Sequence, residues 1–313
     1  MSSALAGNSD QRPIYIRSDI HKDRRLCKDR LYIISGQVHV KAGVTLDVED
    51  GARLGILNGR VPGRRLERAA LVFDAGSQLM SRRWTLFGCG RDGRAETHPD
   101  NGGVWFFGTH LGASKDGMRL LTKPGSVPSS FHARALSARY LGRMDARPST
   151  RQFHHDTRKR LDDLDAVSLM GVGLTEWHIE ALHILGAGDD ALDLHNSEIQ
   201  LRKLVIRNPA EDALNISSSR IDITEALRVR MTRRGERDGV DADRDVFDLE
   251  VDEGPSRVVL HRGARVDICG VFGDELQLDS ADLPAQSDAG RDLYLFKGRN
   301  RRKTTVIESL TED

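Results

Sequence analysis

Short runs of alternating apolar and polar residues recur along the chain, and this two-residue period is typical of β-strands. The first clear run covers residues 31–48, with apolar positions and punctuating glycines at Leu31, Ile33, Gly36, Val38, Val40, Gly43, Val44, Leu46 and Val48. Further runs lie at 70–73, 78–80 and 84–87, and the wholly apolar run Val104–Phe107 predicts a buried strand. The pattern therefore predicts many short strands separated by glycine turns.

A five-residue frame repeats in the second half of the chain, in which an Asp is followed two and four residues later by an apolar residue. Its copies begin at Asp165, Asp190, Asp212, Asp245 and Asp274, so successive copies start 25, 22, 33 and 29 residues apart. Residues 197–201 also recur in similar form at 219–223. Self-similarity at such a period, with each unit made of short strands, is typical of a solenoid.

Strand alternation predicts which way each position of the frame faces. The apolar position two residues after the Asp is expected to form one interior stack, made of Val167, Leu192, Leu214, Phe247 and Leu276. The next position is polar in every copy and is expected on the outer face, as Ser168, Asp193, Asn215, Asp248 and Gln277. The uneven offsets predict loops inserted into individual repeats.

These observations predict an all-β protein, a single-stranded right-handed parallel β-helix with charged loop insertions and capped ends. Residues 1–30 are polar and irregular and are expected to form an N-terminal lead or cap. Residues 31–290 are expected to form the β-helix, and residues 291–313 a C-terminal strand, tail or cap. Caps are expected because unpaired strand edges invite pairing with other chains.

Composition and charge add little to this picture. The chain has 47 basic and 47 acidic residues, so its net charge indicates neither nucleic acid nor a membrane as a partner. Two basic runs, at 151–160 and 228–237, are expected to be solvated surface. No apolar run approaches the roughly 18 residues of a membrane span, and residues 1–12 lack the apolar stretch of a signal peptide. Widely spaced Cys27, Cys89 and Cys269 predict buried free thiols rather than a metal site.

Several segments resemble a known family. Residues 168–193 contain a Gly-Val-Gly turn, a Thr, an isoleucine-containing strand and the pair Asp189-Asp190, and Glu211-Asp212 follows one repeat later. These features resemble secreted bacterial β-helix proteins of largely undefined function, and residues 36–51 and 101–106 resemble other coils of the same proteins. The resemblance spans roughly residues 30–225. It implies the pectin-lyase-like architecture and a secreted or cell-surface location.

An acidic cluster carries the candidate chemistry. Asp189, Asp190, Asp193, Glu211 and Asp212 are expected on neighbouring coils, where two carboxyl groups can flank a glycosidic bond. Asp190, Asp193 and Asp212 are also candidate ligands for calcium, which prefers clustered oxygen atoms. The alternative is structural, because Asp at a turn commonly accepts hydrogen bonds from backbone N–H groups.

Other residues offer weaker candidates. Arg202, Lys203 and Arg207 follow the acidic cluster, where a lyase would need a base and cationic partners for uronate. The histidines expected on the coils, which would form a metal site only if the fold brought them together, are His178, His183 and His195. The tryptophans, which are either buried or exposed for stacking on a sugar ring, are Trp84, Trp105 and Trp177.

Two functions remain open from the sequence. The first is a non-catalytic β-helix that binds a glycan or another macromolecule, such as a protein, along its elongated face or serves as a scaffold. The second is a carbohydrate-active enzyme, a polysaccharide lyase, epimerase or glycoside hydrolase, centred on the acidic cluster. An enzyme is expected to expose these carboxylates in a groove beside a basic residue, whereas a scaffold is expected to bury them in turn hydrogen bonds.

Overall fold

The computed structural model describes residues 12–59, 61, 67–109, 127–143, 164–231, 244–251, 254–270, 277–278, 294–299 and 304–309. Within these residues every regular element is a β-strand, so the predicted all-β class is confirmed there. The same residues contain no helix that is long and apolar enough to cross a membrane. Asp274, Leu276, the basic run 151–160 and most of the run 228–237 lie outside the described residues.

The described strands are short. In chain order they are β1 (Ile14–Ile16), β2 (Arg24–Leu26), β3 (Leu31–Ile34), β4 (Gln37–Val40), β5 (Thr45–Val48), β6 (Ala52–Leu57), β7 (Ala70–Phe73), β8 (Gln78–Ser81), β9 (Arg83–Cys89), β10 (Val104–Phe107), β11 (Ser130–Ala133), β12 (Ala135–Arg139), β13 (Val167–Met170), β14 (Trp177–Ile179), β15 (Ala181–Leu185), β16 (Leu192–His195), β17 (Glu198–Arg207), β18 (Leu214–Ser217), β19 (Arg220–Arg230), β20 (Asp248–Glu250), β21 (Ser256–Leu260), β22 (Arg265–Gly270), β23 (Gln277–Leu278), β24 (Tyr294–Arg299) and β25 (Thr305–Ser309).

These strands form three sheets. The large sheet has thirteen strands, β1, β3, β6, β9, β12, β15, β17, β19 and β21–β25. The middle sheet has seven strands, β4, β7, β10, β13, β16, β18 and β20, and the small sheet has five, β2, β5, β8, β11 and β14. From β3 to β16 the chain visits the large, middle and small sheets in strict rotation. Each strand therefore pairs with strands from the previous and following rotations, as β10 does with β7 and β13.

The register of the middle sheet aligns the repeated frames. Val167 pairs with Leu192, which pairs with Leu214, and all three side chains are fully buried. Phe247 is buried as well. On the other face, Asp193 pairs with Asn215 and Asn215 with Asp248, and these side chains are partly exposed. The predicted facing of the frame is thus confirmed at these positions.

One outer position of the frame differs from the prediction. Ser168 aligns with Asp193, as expected, but only 2% of its surface is exposed. Its hydroxyl donates a hydrogen bond to the carboxylate of Asp165 at 3.0 Å. The outer side of a strand is therefore not open to solvent here, because neighbouring groups cover a side chain as small as serine.

Strands also occur near both ends of the chain. β1 and β2 lie within the segment predicted as an irregular lead, and they pair in parallel with β3 and β5. At the other end, β24 and β25 pair antiparallel with β22 and β21. The other pairings between named strands are parallel except for that of β23, so β24 and β25 run opposite to the strands β22 and β21 that they extend. The three-part domain organisation stays a prediction.

The buried aliphatic and aromatic side chains form one hydrophobic core cluster. Phe73 and Phe106 stack with ring centroids 4.9 Å apart, and the rings of Phe131 and Trp177 meet Phe106 edge-on. Trp84 packs against Phe73 in the same way. Trp84 and Trp177 therefore serve the core, and neither is available to a ligand.

A buried carboxylate ties three segments of this core together. Glu176 accepts hydrogen bonds from the backbone N–H groups of Thr109, Ser129 and Gly173, at 3.0–3.1 Å, and from the Thr109 hydroxyl at 2.6 Å. These contacts satisfy buried N–H groups that no sheet ladder reaches. Of the cysteines, Cys89 is buried, but Cys27 and Cys269 are partly exposed, and no disulfide joins the three, which are all free thiols.

Candidate functional site

The acidic cluster lies in the turns that lead from the large sheet into the middle sheet. Asp189 and Asp190 connect β15 to β16, and Glu211 and Asp212 connect β17 to β18. Since β16 pairs with β18, the two turns are neighbours, separated by about the 4.8 Å spacing of adjacent strands. The fold thus brings together the acidic residues of successive repeats, as the sequence predicts.

Two members of the cluster are bound into the turns themselves. Asp190 accepts hydrogen bonds from the backbone N–H of Asp212 at 2.8 Å and from the side-chain amide of Asn215 at 3.1 Å. Asp212 in turn accepts a hydrogen bond from the backbone N–H of Asp245. Asp190 and Asp212 are both buried. These contacts are the ones expected of the structural alternative, in which each frame's Asp holds the next turn.

The remaining acids form carboxyl–carboxyl contacts. Asp189, which is 1% exposed, shares a side-chain hydrogen bond with Glu211. Asp193 shares one with Asp165, which begins the preceding frame. A hydrogen bond between two carboxyl groups requires a proton on one of them. The second oxygen of Asp189, Oδ1, is buried and has no hydrogen-bond partner among the described residues.

Burial and mutual repulsion raise the pKa values in this cluster. The pKa of Asp189 lies far above its ordinary value because its carboxyl is desolvated and because the Asp190 charge is close. Desolvation and nearby carboxylates also raise the pKa values of Asp190, Asp212 and Asp193. Burial and mutual repulsion in this cluster therefore favour the neutral, protonated form of the carboxyl groups, which can donate as well as accept hydrogen bonds.

The cluster gains no support as a metal site. Over the described ranges, no group of three or more His, Cys, Asp and Glu side chains is arranged to hold a metal ion. Asp190 and Asp212 already use oxygens for backbone N–H groups, which leaves fewer for calcium. Calcium binding by Asp190, Asp193 and Asp212 stays a prediction.

The basic residues expected beside the cluster have other partners or positions. Arg202 forms ion pairs with Glu180 and Glu225 at 2.7 and 2.5 Å, and Lys203 lies 3.5 Å from Glu225. Arg207 is exposed at the end of β17, on the large sheet. The structure therefore places Arg202 and Lys203 in ion pairs of their own rather than against the acidic cluster.

The histidines are not brought together either. His178, His183 and His195 lie on β14, β15 and β16, which belong to the small, large and middle sheets respectively. His178 stacks instead on His132 of the neighbouring strand, with ring centroids 4.3 Å apart. The three histidines therefore do not form the metal site considered from the sequence.

Trp105 is the tryptophan that reaches a surface. It lies in β10, where Val104 and Phe106 are fully buried, and its own side chain is partly exposed on the outer face of the middle sheet. The register places Trp105 beside Ser168, and the same row continues through Asp193, Asn215 and Asp248. We call this row, Trp105, Ser168, Asp193, Asn215 and Asp248, the middle-sheet row.

A second row runs parallel to it on the same face, two residues further along each strand. It consists of Phe107, Met170, His195, Ser217 and Glu250. The Nε2 atom of His195 lies 3.0 Å from the Asn196 amide nitrogen. The outer face of the middle sheet thus combines aromatic rings with carboxyl, amide and imidazole groups. The repeated frame predicted the four polar members of the middle-sheet row on the outer face, but it did not predict Trp105 there, because every residue of Val104–Phe107 is apolar and alternation could not assign their sides.

Comparisons of the chain with protein-family models, with curated proteins and with solved structures find no match. The resemblance to pectin-lyase-like proteins, and the secreted or cell-surface location that it implies, therefore stay predictions. Any function for this chain has to be argued from its own geometry.

Proposed function

We propose that the three sheets belong to one right-handed parallel β-helix, in which each rotation of the chain through the large, middle and small sheets is one coil. The strict rotation from β3 to β16 and the parallel register within each sheet support this arrangement. Right-handedness follows from the strong preference of parallel β-crossovers for that hand. Such a solenoid presents long, regular rows of side chains on its outer faces.

We propose that the protein binds a glycan on the outer face of the middle sheet and does not catalyse a reaction of it. The observation that carries this proposal is the middle-sheet row, where a partly exposed Trp105 shares a line with polar side chains. An indole face stacks on the apolar face of a sugar ring, and carboxyl and amide groups bind its hydroxyls. Spacing of about 4.8 Å between neighbouring strands repeats these contacts along an extended chain.

The polar members of the row suit hydroxyl recognition. Desolvation and the nearby Asp190 charge raise the pKa of Asp193, although its hydrogen bond with Asp165 lowers it. The raised pKa favours the neutral carboxyl, which can donate as well as accept a hydrogen bond. Asn215 lies on the next strand, but its nitrogen donates to Asp190 and its Oδ1 is buried without a hydrogen-bond partner among the described residues, so its amide holds Asp190 rather than a ligand. A neutral glycan fits this set best, because a polyanion would meet the carboxylates of Asp248 and Glu250.

Non-catalytic binding is favoured over catalysis by the state of the acidic cluster. Asp189, Asp190 and Asp212 are buried, and two of them hold turn N–H groups. A catalytic carboxyl group must come within hydrogen-bond reach of the substrate. The buried carboxyl groups of Asp189, Asp190 and Asp212 are out of reach of a substrate. Asp193 and Glu211 are partly exposed and are the members of the cluster that a substrate could contact.

The test is a screen of neutral and acidic glycans, followed by affinity measurements on the glycans that bind. Trp105→Ala is expected to weaken binding by about fivefold to 150-fold, if a stacked sugar ring contributes about the 1–3 kcal/mol that a base stacked on an aromatic side chain does. Trp105→Phe is expected to retain part of the affinity. Met80→Ala is the control, because Met80 is exposed on the small sheet. Wild-type affinity in Trp105→Ala, or no binding to any glycan, would contradict the proposal.

A second candidate, a carbohydrate-active enzyme of the lyase, epimerase or hydrolase type, rests on the two proton-sharing carboxyl pairs. A carboxyl group that stays protonated at neutral pH is a ready general acid, and strongly shifted pKa values cluster at active sites. Glycans that bind should then be turned over, with and without added calcium. Turnover that Glu211→Gln abolishes, while binding persists, would establish the enzyme in place of the binding protein.

A further inference from the structure

The outer face of the large sheet carries a block of arginines. In β17 and β19, Val205 pairs with Arg228 and Arg207 with Arg230. The adjoining strands add Arg139 of β12, which pairs with Leu185 next to Arg207, and Arg265 of β22. We call these side chains, Arg139, Arg207, Arg228, Arg230 and Arg265, the basic face.

These arginines are open to solvent and form no direct ion pairs within the described part of the chain. All five are exposed, and none forms an ion pair with another described residue. Asp267 of β22 is the register partner of Arg228 and offsets one of the five charges, whereas Glu225 is already paired with Arg202 and Lys203. The face therefore presents a net positive charge, although the chain as a whole has none.

The imidazole of His183 lies among these arginines, and their charges affect its pKa. His183 of β15 lies between Ser137 of β12 and Val205 of β17, two residues before Leu185, which separates Arg139 from Arg207. Its pKa is lowered by partial desolvation and by the positive charges of Lys203, Arg139 and Arg207. The lowered pKa of His183 agrees with the strand register, which places these cations near its imidazole.

We propose that the basic face docks on an anionic phospholipid membrane, as a peripheral contact through headgroup phosphates. Arginine forks bind phosphate oxygens well, and each basic group near an anionic bilayer adds attraction. The backbone of the face is sheet, so its charges lie on one broad surface rather than on a protruding element. No membrane partner was expected from the sequence, because the balanced net charge does not show that basic residues are concentrated on one face.

Nucleic acid fits the same face less well. Proteins that bind single strands stack bases on aromatic side chains, and readers of duplex DNA insert a helix or a ribbon into a groove. The uncharged described neighbours of these arginines are mostly small or aliphatic, and Phe87, which pairs with Arg139, is only 2% exposed. Apart from the His183 ring, these neighbours therefore offer no exposed aromatic side chain for bases to stack on. This docking does not depend on the glycan site, which lies on another sheet.

The experiment measures binding of the full chain to vesicles made of equal parts phosphatidylserine and phosphatidylcholine, and to vesicles of phosphatidylcholine alone. Binding is expected on the first and not on the second, and it should weaken as salt is raised. In Arg207→Gln/Arg230→Gln, each lost charge is expected to weaken binding about fivefold, and both together about 30-fold. The matched control is Arg25→Gln/Arg82→Gln, which removes two exposed charges elsewhere.

The control variant is expected to bind like the wild type, and both variants should keep the wild-type circular dichroism spectrum and melting temperature. The proposal is overturned by absent binding to the anionic vesicles, by equal binding to both vesicle types, or by equal losses in the two double variants. Tighter binding of a duplex oligonucleotide than of the anionic vesicles, abolished in Arg207→Gln/Arg230→Gln, would assign the face to nucleic acid instead.

Discussion

The protonated state of the acidic cluster predicts an unusual dependence of stability on pH. Asp189 is buried against other acids, so its pKa in the folded protein is far above the value of about 3.9 that it has when unfolded. Between these two values the folded protein holds a proton that the unfolded chain releases. The free energy of unfolding therefore falls as pH rises above about 4, and the stabilisation is complete only at lower pH.

The magnitude follows from one retained proton. Each pH unit in this window lowers the free energy of unfolding by about 1.4 kcal/mol per group that stays protonated. From about pH 5 to about pH 8 the loss is roughly 4 kcal/mol for Asp189 alone. Asp189→Asn mimics the neutral carboxyl and can still donate to Glu211. Between about pH 5 and about pH 8, we expect the free energy of unfolding of Asp189→Asn to rise by roughly 4 kcal/mol relative to that of the wild type.

The assay is denaturant unfolding at several pH values, with Asp92→Asn as a control at an exposed aspartate. The control is expected to stay within about 0.5 kcal/mol of the wild type throughout. A wild-type stability that is constant or rises between pH 5 and pH 8, with a constant offset for Asp189→Asn, would refute the reasoning. Asp189 would then be ionised in the folded protein despite its burial.

Three further predictions concern the scaffold. Glu176→Gln places an N–H₂ group against buried N–H donors and is expected to lower the free energy of unfolding in denaturant by about 2–3 kcal/mol. The control Glu180→Gln removes an exposed ion pair and should change the free energy of unfolding by at most about 1 kcal/mol. Gly108→Ala is expected to give no folded protein by circular dichroism, since its Cβ would lie 1.9 Å from a backbone oxygen; wild-type folding would contradict this. Burial raises the pKa of Cys89 to about 12, so Cys89 should resist alkylation at neutral pH while Cys27 reacts; equal rates would contradict it.

The sequence was sufficient to predict the strands and part of their register. Alternation at Val167, Leu192 and Leu214 reports a face that is buried in every repeat, and the structure pairs these residues as expected. A repeated pattern is strong evidence because each copy repeats the same physical constraint. Alternation says nothing about what covers the outer side, and the burial of Ser168 was therefore missed.

The candidate site was predicted in part. The repeat correctly brought Asp190 and Asp212 into neighbouring turns, but their backbone partners were visible only in three dimensions. Trp105 lies in an apolar run without alternation, so its exposure was not readable from the sequence. Arg207 and Arg230 are distant in sequence and become neighbours only through strand pairing. Surfaces built across strands depend on register, which composition and net charge do not contain.

Contact between Trp105 and a bound glycan is the most direct test of the proposed function. Of the three tryptophans, Trp84 and Trp177 are 2% and 3% exposed, so a neutral quencher such as acrylamide acts mainly on Trp105. A saturating glycan is expected to reduce this quenching to the level seen in the Trp105→Phe protein. Unchanged quenching while the glycan is bound would place the glycan elsewhere and contradict the account.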